Sequence, residues 1–269
     1  MSLKRNNTIL KSTLSQEGVL RLTLNNPNNH NVLSEEMMEN IQLSLDQATK
    51  DKKTRVIIIS AEGSTFSAGH DLKELKSARK NSDKGKDYFN NIMLKCSKMM
   101  QSIVKNPKPV IAEVSGIATA AGCQLVASCD LAYAGPLAKF ATPGVNIGLF
   151  CSTPMVALSR NISNKHSMEM LLTGDLISSD KAAKIGLINE MISDDELQNF
   201  VLNKALKISK KSAMTLKIGK EAFYNQKDMT LSEAYDYASN VMVKNMLKID
   251  AEEGIDAFLN KRKPNWLDK

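Results

Sequence analysis

The segment VIAEVSGIATAAGCQLVASCDLAYAGPLAKFATPGVNIGLFCST, residues 110–153, decides the fold of this chain. It opens with an apolar run at Val110–Val114, which predicts a buried strand, and bends at 115–116. Small residues follow at 120–122, before an apolar stretch, 123–128, that we expect to be helical. Bare N–H groups at a helix start, backed by the helix dipole, can hold a developing negative charge on an oxygen. The same pattern also suits a helix packed closely on a sheet, and this segment alone does not decide between the two.

The composition of the chain excludes several classes of protein. Its 269 residues are enough to bury a substantial hydrophobic core. With 42% apolar and 24% charged residues, the chain is expected to be a soluble globular protein, and no apolar run is long enough to span a membrane. The four cysteines and three histidines show neither metal-ligand spacing nor a disulfide framework, so the sequence predicts a reducing compartment and no metal site.

The positive charge of the chain is unevenly distributed. The net charge is +7, and lysine and arginine concentrate at 73–86 and 261–263. Such clusters favour anionic partners such as a phosphorylated ligand, although they are often only solvated surface. RNA binding through 73–86 is a further hypothesis, but nucleic acid is not the expected partner because this segment contains acids and no interleaved aromatics.

The N-terminal segment has two interpretations. Residues 1–16 are basic and carry no acid, a composition found in organellar transit peptides. Apolar alternation at 9–14 and 19–24, around the turn residues 16–18, instead predicts a β-hairpin. We therefore expect no removable leader and a cytoplasmic protein, with a protein processed into the mitochondrial matrix as the alternative.

Strands dominate the first half of the predicted structure and helices its last third. Ser34 is a predicted helix cap, with two acids in the first turn behind it. Further predicted elements are strands at 55–60 and 186–188 and helices at 87–104, 154–173, 178–184, 195–210, 212–224, 231–247 and 251–261. No flexible linker separates these parts. We divide the chain into a β-rich core that carries the ligand site, residues 1–195, and a helical C-terminal region, residues 196–269.

Two predicted loops of the core have the same sequence pattern. Each follows a buried strand and presents small residues just before a helix: SAGHDL at 67–72 and AAGCQ at 120–124. Two backbone N–H groups, one from each loop, could hold one oxygen between them. Together with four more segments in the same order, these loops resemble the enoyl-CoA hydratase/isomerase (crotonase) family over nearly the whole chain. The sequence patterns at 67–75, 120–130 and 140–146 are most similar to those of one subgroup of this family. The four segments are 25–33, 140–143, 172–188 and 253–263.

The resemblance implies a fold, a ligand and an assembly. The fold is an α/β (α+β) spiral, the crotonase/ClpP-like fold of repeated ββα turns, with a C-terminal helical region that forms a homotrimer or hexamer. The ligand is a coenzyme A thioester, bound without a separate cofactor. The backbone N–H groups of His70 and Ala121 would form an oxyanion hole for the thioester carbonyl, and many relatives carry glycine where this chain has Ala120 and Ala121.

The resemblance also assigns residues that contact the thioester. They are Asn28, Asn29, His30, Ala68, His70, Asp71, Leu72, Ala120, Ala121, Asn146, Cys151 and Ser152, joined by Phe258 and Lys261 from the tail of the neighbouring subunit. Asn28 stands where a lysine is common in the family. Ser152 is better explained as the cap of a helix that starts at Pro154, and a nucleophilic Cys151 would need a positive neighbour to lower its pKa.

The chain departs from the family at the two acid/base positions. The first catalytic glutamate falls on Gln124, whose amide cannot exchange a proton near neutral pH, and the second falls on Gly144, which has no side chain. General acid–base groups usually contribute ~10²–10⁴ each, so ordinary hydration should be slow. The His70 imidazole could take over part of this proton transfer.

Two functions remain open from the sequence. One is an enzyme of the lyase or isomerase type in fatty acid metabolism, which acts mainly by stabilising an enolate. Its protons would come from His70, from water held at Gln124 or from the substrate. The other is an acyl-CoA-binding protein that has kept the ligand site and lost the chemistry.

Overall fold

Two β-sheets with helices packed around them form this structure, a computed structural model that describes residues 9–269. The basic start of the chain, residues 1–8, lies outside the described residues. The first two strands, β1 (Leu10–Leu14) and β2 (Val19–Leu24), form the antiparallel hairpin that the sequence predicts.

The remaining strands are short and divide between the two sheets. They are β3 (Val56–Ala61), β4 (Thr65–Ser67), β5 (Val110–Val114), β6 (Ile117–Thr119), β7 (Leu131–Ala134), β8 (Lys139–Ala141), β9 (Ile177–Ser178) and β10 (Glu190–Met191). The larger sheet has the order β1-β2-β3-β5-β7-β10 and is parallel from β2 onward. The smaller sheet has the order β4-β6-β8-β9 and is parallel except for β9.

Helices connect and cover the sheets. They are α1 (Glu35–Lys50), α2 (Leu72–Ala78), α3 (Lys86–Val104), α4 (Ala121–Ser128), α5 (Ser152–Ser159), α6 (Asn164–Thr173), α7 (Ser179–Lys184), α8 (Asp194–Ser209), α9 (Ala213–Gln226), α10 (Leu231–Met246) and α11 (Ile249–Leu259). The predicted cap of α1 is confirmed, because the Ser34 side chain accepts a hydrogen bond from the Met37 N–H.

The fold advances by repeating one unit. In each of the pairs β3–β4, β5–β6 and β7–β8, the first strand joins the larger sheet and the second joins the smaller one, and a helix follows. The bend between β5 and β6 requires Gly116, because a Cβ there would lie 2.2 Å from the Ser64 carbonyl oxygen. This arrangement is the spiral of ββα turns expected from the sequence.

The core lies on both faces of the larger sheet. One face packs with α1, α3 and α4 into the main hydrophobic cluster. On the other face, Leu197, Val201 and Ala205 repeat every four residues along α8 and pack against strand residues such as Val56 and Ile111. Helix α8 thereby joins the C-terminal half of the chain to the sheet. The division at residue 195 stays a prediction.

Two predicted elements are wrong in detail. The helical segment predicted at 154–173 is two helices, since Ser163 caps a new one by accepting the His166 N–H. The strand predicted at 186–188 is instead a turn after α7, because the amides of Leu187 and Ile188 donate to the Ala182 carbonyl. The strand of this region, β10, follows two residues later.

The C-terminal tail returns to the core. Asp250 is buried and accepts hydrogen bonds from the backbone N–H groups of Leu267 and Asp268, and the Asp268 carboxylate pairs with Arg55. Large apolar side chains remain exposed on the last helices. They include Phe223, Leu231, Tyr235, Met242, Val243, Met246, Leu247, Ile255, Phe258 and Leu259.

No helix within residues 9–269 is long and apolar enough to cross a membrane. The same residues contain no group of three or more histidine, cysteine or acidic side chains placed to hold a metal ion.

Candidate active site

Three loops meet at one edge of the smaller sheet. Strands β4, β6 and β8 run parallel, with Ser67 opposite Ala118 and Thr119 opposite Ala141. The carboxyl ends of parallel strands lie at the same edge, where α/β proteins commonly bind ligands. The segments that leave this edge are 68–71, 120–124 and 142–146, which hold half of the predicted site residues.

The first two loops touch each other. Gly69 has a φ of +86°, and a Cβ at this position would lie 2.9 Å from the Ala120 Cβ and 3.0 Å from the Ala121 nitrogen. A Cβ at Gly122 would lie 2.2 Å from the Ser67 carbonyl oxygen. Only glycine allows this approach, which presses the first turn of α4 against the end of β4.

The residue that caps the start of α4, Ala120, has an unusual backbone. Ala120 has φ 51° and ψ −120°, a region that residues other than glycine rarely occupy. Such a conformation costs of the order of 1–3 kcal/mol, and the surrounding structure must hold it in place. One restraint is the hydrogen bond from the Ala120 N–H to the Ala141 carbonyl, at 2.9 Å.

The two predicted oxyanion amides have no acceptor. Across residues 9–269, neither the His70 N–H nor the Ala121 N–H donates a hydrogen bond to the protein. Ala121 is the first residue of α4, so it has no partner within the helix. Amides around them are occupied: the Ala68 N–H donates to the His30 carbonyl and the Leu33 N–H to the Gly69 carbonyl.

The His70 side chain is neutral near pH 7. Burial lowers its pKa, and the Leu33 backbone opposes this shift only in part. The Leu33 carbonyl is near enough to the ring to oppose the shift, but neither buried ring nitrogen forms a hydrogen bond of normal geometry with the described residues. A buried unpaired polar atom is uncommon and usually marks a place that water or a ligand completes.

On the segments 120–124 and 142–146, two further buried polar atoms have no partner in the described part of the chain. Gln124 is 4% exposed and its Oε1 makes no hydrogen bond, and the same holds for the Oγ1 of Thr142, which is fully buried. Leaving such a group unpaired costs about 1–3 kcal/mol. Thr142 is not among the residues predicted from the sequence, although it lies in the segment 140–143, directly before Pro143.

The space beside Gly144, the predicted second acid/base position, is occupied by Cys151 and the Leu149 carbonyl. A Cβ at Gly144 would lie 2.9 Å from the Cys151 Sγ and 2.8 Å from the Leu149 carbonyl oxygen. The Gly144 N–H donates to that sulfur at 3.3 Å. Burial raises the pKa of Cys151, so its thiol is protonated at neutral pH and is a poor nucleophile.

The helix cap predicted within residues 151–153 lies there, but Cys151 is the capping residue and Ser152 is not. Helix α5 starts at Ser152 itself, and Cys151 occupies the cap position. The Ser152 hydroxyl donates to the Phe150 carbonyl at 3.3 Å, and its side chain is exposed. The chain turns into the helix two residues earlier than expected, because the Met155 N–H already bonds the Cys151 carbonyl.

The loop at 27–30 joins the site through Asp71. Asn29 donates from Nδ2 to Asp71 Oδ2 at 3.1 Å, and Asp71 Oδ1 caps α2 by accepting the Lys73 N–H at 2.8 Å. His30 approaches Thr65 through Nδ1, at 3.4 Å. Asn28 and Leu72 are exposed beside these contacts. The structure therefore brings the predicted contact residues 28–30 and 68–72 together.

Three other predicted contact residues lie farther out. Asn146 is exposed and its Nδ2 lies beside Gly174, at the start of the 144–151 loop. Phe258 is 83% exposed and Lys261 is exposed at the end of α11. Neither of these two makes a hydrogen bond or ion pair with the loops at 68–71 or 120–124 within the described chain. Their predicted place in a neighbouring subunit's site stays a prediction.

Comparison with known proteins agrees with this architecture. A model of the enoyl-CoA hydratase/isomerase family matches residues 15–269. The chain is 45% identical over 257 residues to the mitochondrial enoyl-CoA hydratase domain-containing protein 3 of Rattus norvegicus, covering 96% of this chain and 84% of that relative. It matches the crystal structure of the human enoyl-CoA hydratase domain-containing protein 3 with a TM-score of 0.91, at 45% identity, covering 96% of this chain and 100% of that one.

A bacterial structure is equally similar in shape. The enoyl-CoA hydratase of Mycobacterium smegmatis gives a TM-score of 0.91 at 41% identity, covering 96% of this chain and 98% of that one. The family and the subgroup predicted from the sequence signatures are confirmed by these matches. The chain therefore belongs to the enoyl-CoA hydratase/isomerase family and, within it, to the subgroup of enoyl-CoA hydratase domain-containing protein 3.

Proposed function

We propose that this protein binds a coenzyme A thioester and polarises its carbonyl between the backbone N–H groups of His70 and Ala121. The single observation that carries this proposal is that these two N–H groups, on two loops in contact with each other, have no hydrogen-bond acceptor among the described residues. One loop requires glycine at Gly69, and the other holds Ala120 in a strained conformation. Amides fixed in this way need no reorganisation when an oxyanion forms, and one such donor is typically worth ~10²–10³ in rate.

The proposed chemistry is enolate stabilisation with weak proton transfer. Gln124 cannot act as an acid or base, and Gly144 leaves no room for a side chain beside Cys151. The Asp71 carboxylate near the site is committed to the helix cap and to Asn29. We therefore expect slow hydration of enoyl-CoA and measurable exchange of the protons on the carbon next to the thioester carbonyl.

The experiment measures binding and exchange separately. Calorimetry with butyryl-CoA tests binding, and NMR in D₂O follows exchange of its α-protons. Ala121→Pro removes the N–H at the first position of α4, where proline fits a helix, and Ala121→Gly keeps the N–H as the matched control. We expect exchange to fall at least tenfold in A121P and to persist in A121G. Absence of butyryl-CoA binding at micromolar concentrations would overturn the proposal.

The second candidate function is a non-catalytic acyl-CoA-binding protein. It is favoured by the loss of both glutamates, at Gln124 and Gly144, and by the neutral state of His70. Tight butyryl-CoA binding without α-proton exchange above the A121P variant would select this function over the enzyme.

We also propose a homotrimer or hexamer formed through the C-terminal helices. The exposed apolar side chains of α9, α10 and α11 support it, since a monomer in water rarely exposes so many together. Sedimentation equilibrium that finds only monomer would refute it. The mitochondrial names of the vertebrate relatives favour the mitochondrial matrix over the expected cytoplasm, and fractionation of source cells tests that location.

A further inference from the structure

The two loops that carry the predicted oxyanion amides meet where the pairing of β4 with β6 becomes irregular. Three residues of β4, 65–67, stand opposite two residues of β6, 117–118, so the register shifts by one residue. Such irregularities often lie next to active sites, where they change the direction of a side chain. Beyond this point, no backbone hydrogen bond joins residues 68–71 to residues 120–124 within the described chain.

Thr119, the last residue of β6, bridges this gap with its side chain. Its Oγ1 donates a hydrogen bond to the Ala68 carbonyl at 3.3 Å. The backbone of Thr119 is itself fixed, because it pairs with Ala141 of β8. The N–H of the next residue, Ala120, donates to the Ala141 carbonyl at 2.9 Å. The hydroxyl therefore reaches from a fixed strand to the loop that carries His70.

The Ala68 carbonyl belongs to the first of two consecutive peptide groups that lead to the His70 N–H. The second group joins Gly69 to His70, and its carbonyl accepts the Leu33 N–H at 2.7 Å. In a trans peptide the N–H and the carbonyl point in opposite directions, so this bond turns the His70 N–H away from Leu33. Gly69 has a φ of +86° and no side chain to restrict its rotation between the two groups. The direction of the His70 N–H therefore depends on both carbonyl contacts.

The Thr119 side chain also relates this amide to the other one. Thr119 lies two residues before Ala121, so its hydroxyl links the loop of one predicted oxyanion donor to the loop of the other. The loops are in contact, since a Cβ at Gly69 would lie 3.0 Å from the Ala121 nitrogen. The Ala68 N–H donates to the His30 carbonyl at 3.0 Å, so the first loop is held by two neighbouring segments.

We propose that Thr119 is a positioning residue of the oxyanion hole. Its hydrogen bond to Ala68 sets the separation and the direction of the His70 and Ala121 N–H groups, and this role requires no contact between Thr119 and the thioester. The inference rests on the proposed function, because it assumes that the thioester carbonyl lies between these two amides. Donors to an oxyanion act through their fixed placement, so a small displacement weakens them.

The length of the bond sets the size of the expected effect. At 3.3 Å it is longer than the usual distance of about 2.7–2.8 Å between two hydroxyl or carbonyl oxygens. We therefore expect its loss to reduce the rate of α-proton exchange by about fivefold, which is the contribution of one ordinary hydrogen bond.

The test observes the thioester carbonyl directly. The ¹³C resonance of butyryl-CoA labelled at this carbon should move downfield on binding to the wild-type protein, because hydrogen bonds to the oxygen polarise the carbonyl. Thr119→Val keeps the shape of the side chain and removes the hydroxyl, so the downfield movement should be smaller. Calorimetry should find an affinity for butyryl-CoA within about threefold of wild type, since the other binding contacts remain. The resonance can be measured whether or not the protein exchanges protons.

Three further variants separate positioning from packing and stability. Thr119→Ser restores the hydroxyl and should return the resonance to the wild-type position and the exchange rate to within about twofold of wild type. Thr119→Ala removes the hydroxyl again and should behave like T119V. Thr49→Val removes a threonine hydroxyl that donates to the Leu45 carbonyl at 2.9 Å in α1. It should lower stability and leave the carbonyl resonance unchanged.

The outcomes distinguish this inference from the proposed function. A carbonyl resonance in T119V equal to that in wild type would overturn the role of Thr119, and so would a T119S variant as impaired as T119V. Wild-type protein that binds butyryl-CoA without moving the carbonyl resonance downfield, or that does not bind it, would instead overturn the proposed function.

Discussion

The Lys220 ammonium lies 2.6 Å from the Asp130 carboxylate, in a buried junction where α9 meets the ends of α3 and α4. The ammonium also donates to the backbone carbonyls of Ile103, at 2.9 Å, and Lys108, at 3.1 Å. The Tyr224 hydroxyl donates to the other Asp130 oxygen at 2.9 Å. Burial lowers the pKa of Lys220, and Asp130 counteracts this shift. The C-terminal helices are thus bound to the helix that starts at the candidate site.

The junction predicts a large stability effect. Lys220→Met should lower the free energy of unfolding by up to about 3 kcal/mol, because it leaves the Asp130 carboxylate, whose side chain is 16% exposed, without its cation. Urea denaturation measures the change. Lys181→Met, which breaks an exposed ion pair with Glu169, should cost about 1 kcal/mol or less. Similar losses in the two variants would show that the junction is not buried in solution.

His70 predicts a pH dependence of stability. Burial lowers its folded-state pKa below the usual 6.5, so at pH values under 6.5 the unfolded chain binds a proton that the folded chain does not. Its contribution is complete above pH 6.5 and is lost as the pH falls from there toward the folded-state pKa, at up to about 1.4 kcal/mol per pH unit.

Unfolding free energies of wild type and His70→Asn between pH 7.5 and pH 5, roughly one unit to either side of the histidine pKa, measure this slope. The variant should be less sensitive to pH. His166→Asn, at an exposed histidine, should retain the wild-type slope. A steeper slope in H70N than in wild type would contradict the neutral, buried imidazole.

The strained backbone at Ala120 indicates that glycine at this position would stabilise the protein. Its φ of 51° is strained for alanine, so Ala120→Gly should raise the unfolding free energy by about 1 kcal/mol. Ala127→Gly, in the interior of the same helix, should lower it by at least about 0.5–1 kcal/mol. Thermal unfolding compares the two, and destabilisation by A120G would rule out backbone strain at this position.

Because Gly144 and Cys151 are in contact, substitutions at these two positions should have non-additive effects on the free energy of unfolding. Gly144→Ala should cost about 1–3 kcal/mol because its Cβ would press on the sulfur and on the Leu149 carbonyl. In a double-mutant cycle, Cys151→Gly should recover part of this loss, since the contact with the carbonyl remains. Gly219→Ala, in open space on α9, should instead stabilise the protein. Additive losses from G144A and C151G would disprove the contact.

The sequence determined the elements whose signal is local. A short stretch of sequence is enough to recognise each of them. They are the apolar run at Val110–Val114, the Ser34 cap and the amphipathic helices of the last third of the chain. The family followed from short collinear segments, because loops that hold a ligand tolerate few residue types. The loops 67–72 and 120–124 were visible from the small residues that each places between a strand and a helix. The three-residue strands β4, β6 and β8 were not, since three residues are too few to show an alternation.

The tertiary structure decided what depends on contacts between distant residues. The order of residues does not show three features of the site. These are the contact of Cys151 with Gly144 at the predicted second glutamate position, the strained backbone of Ala120 and the unpaired Thr142 hydroxyl. The Lys220–Asp130 pair joins residues 90 positions apart. Periodicity and composition carry no information about contacts between residues so far apart in the chain. Such contacts form only when packing against a shared core brings the segments together.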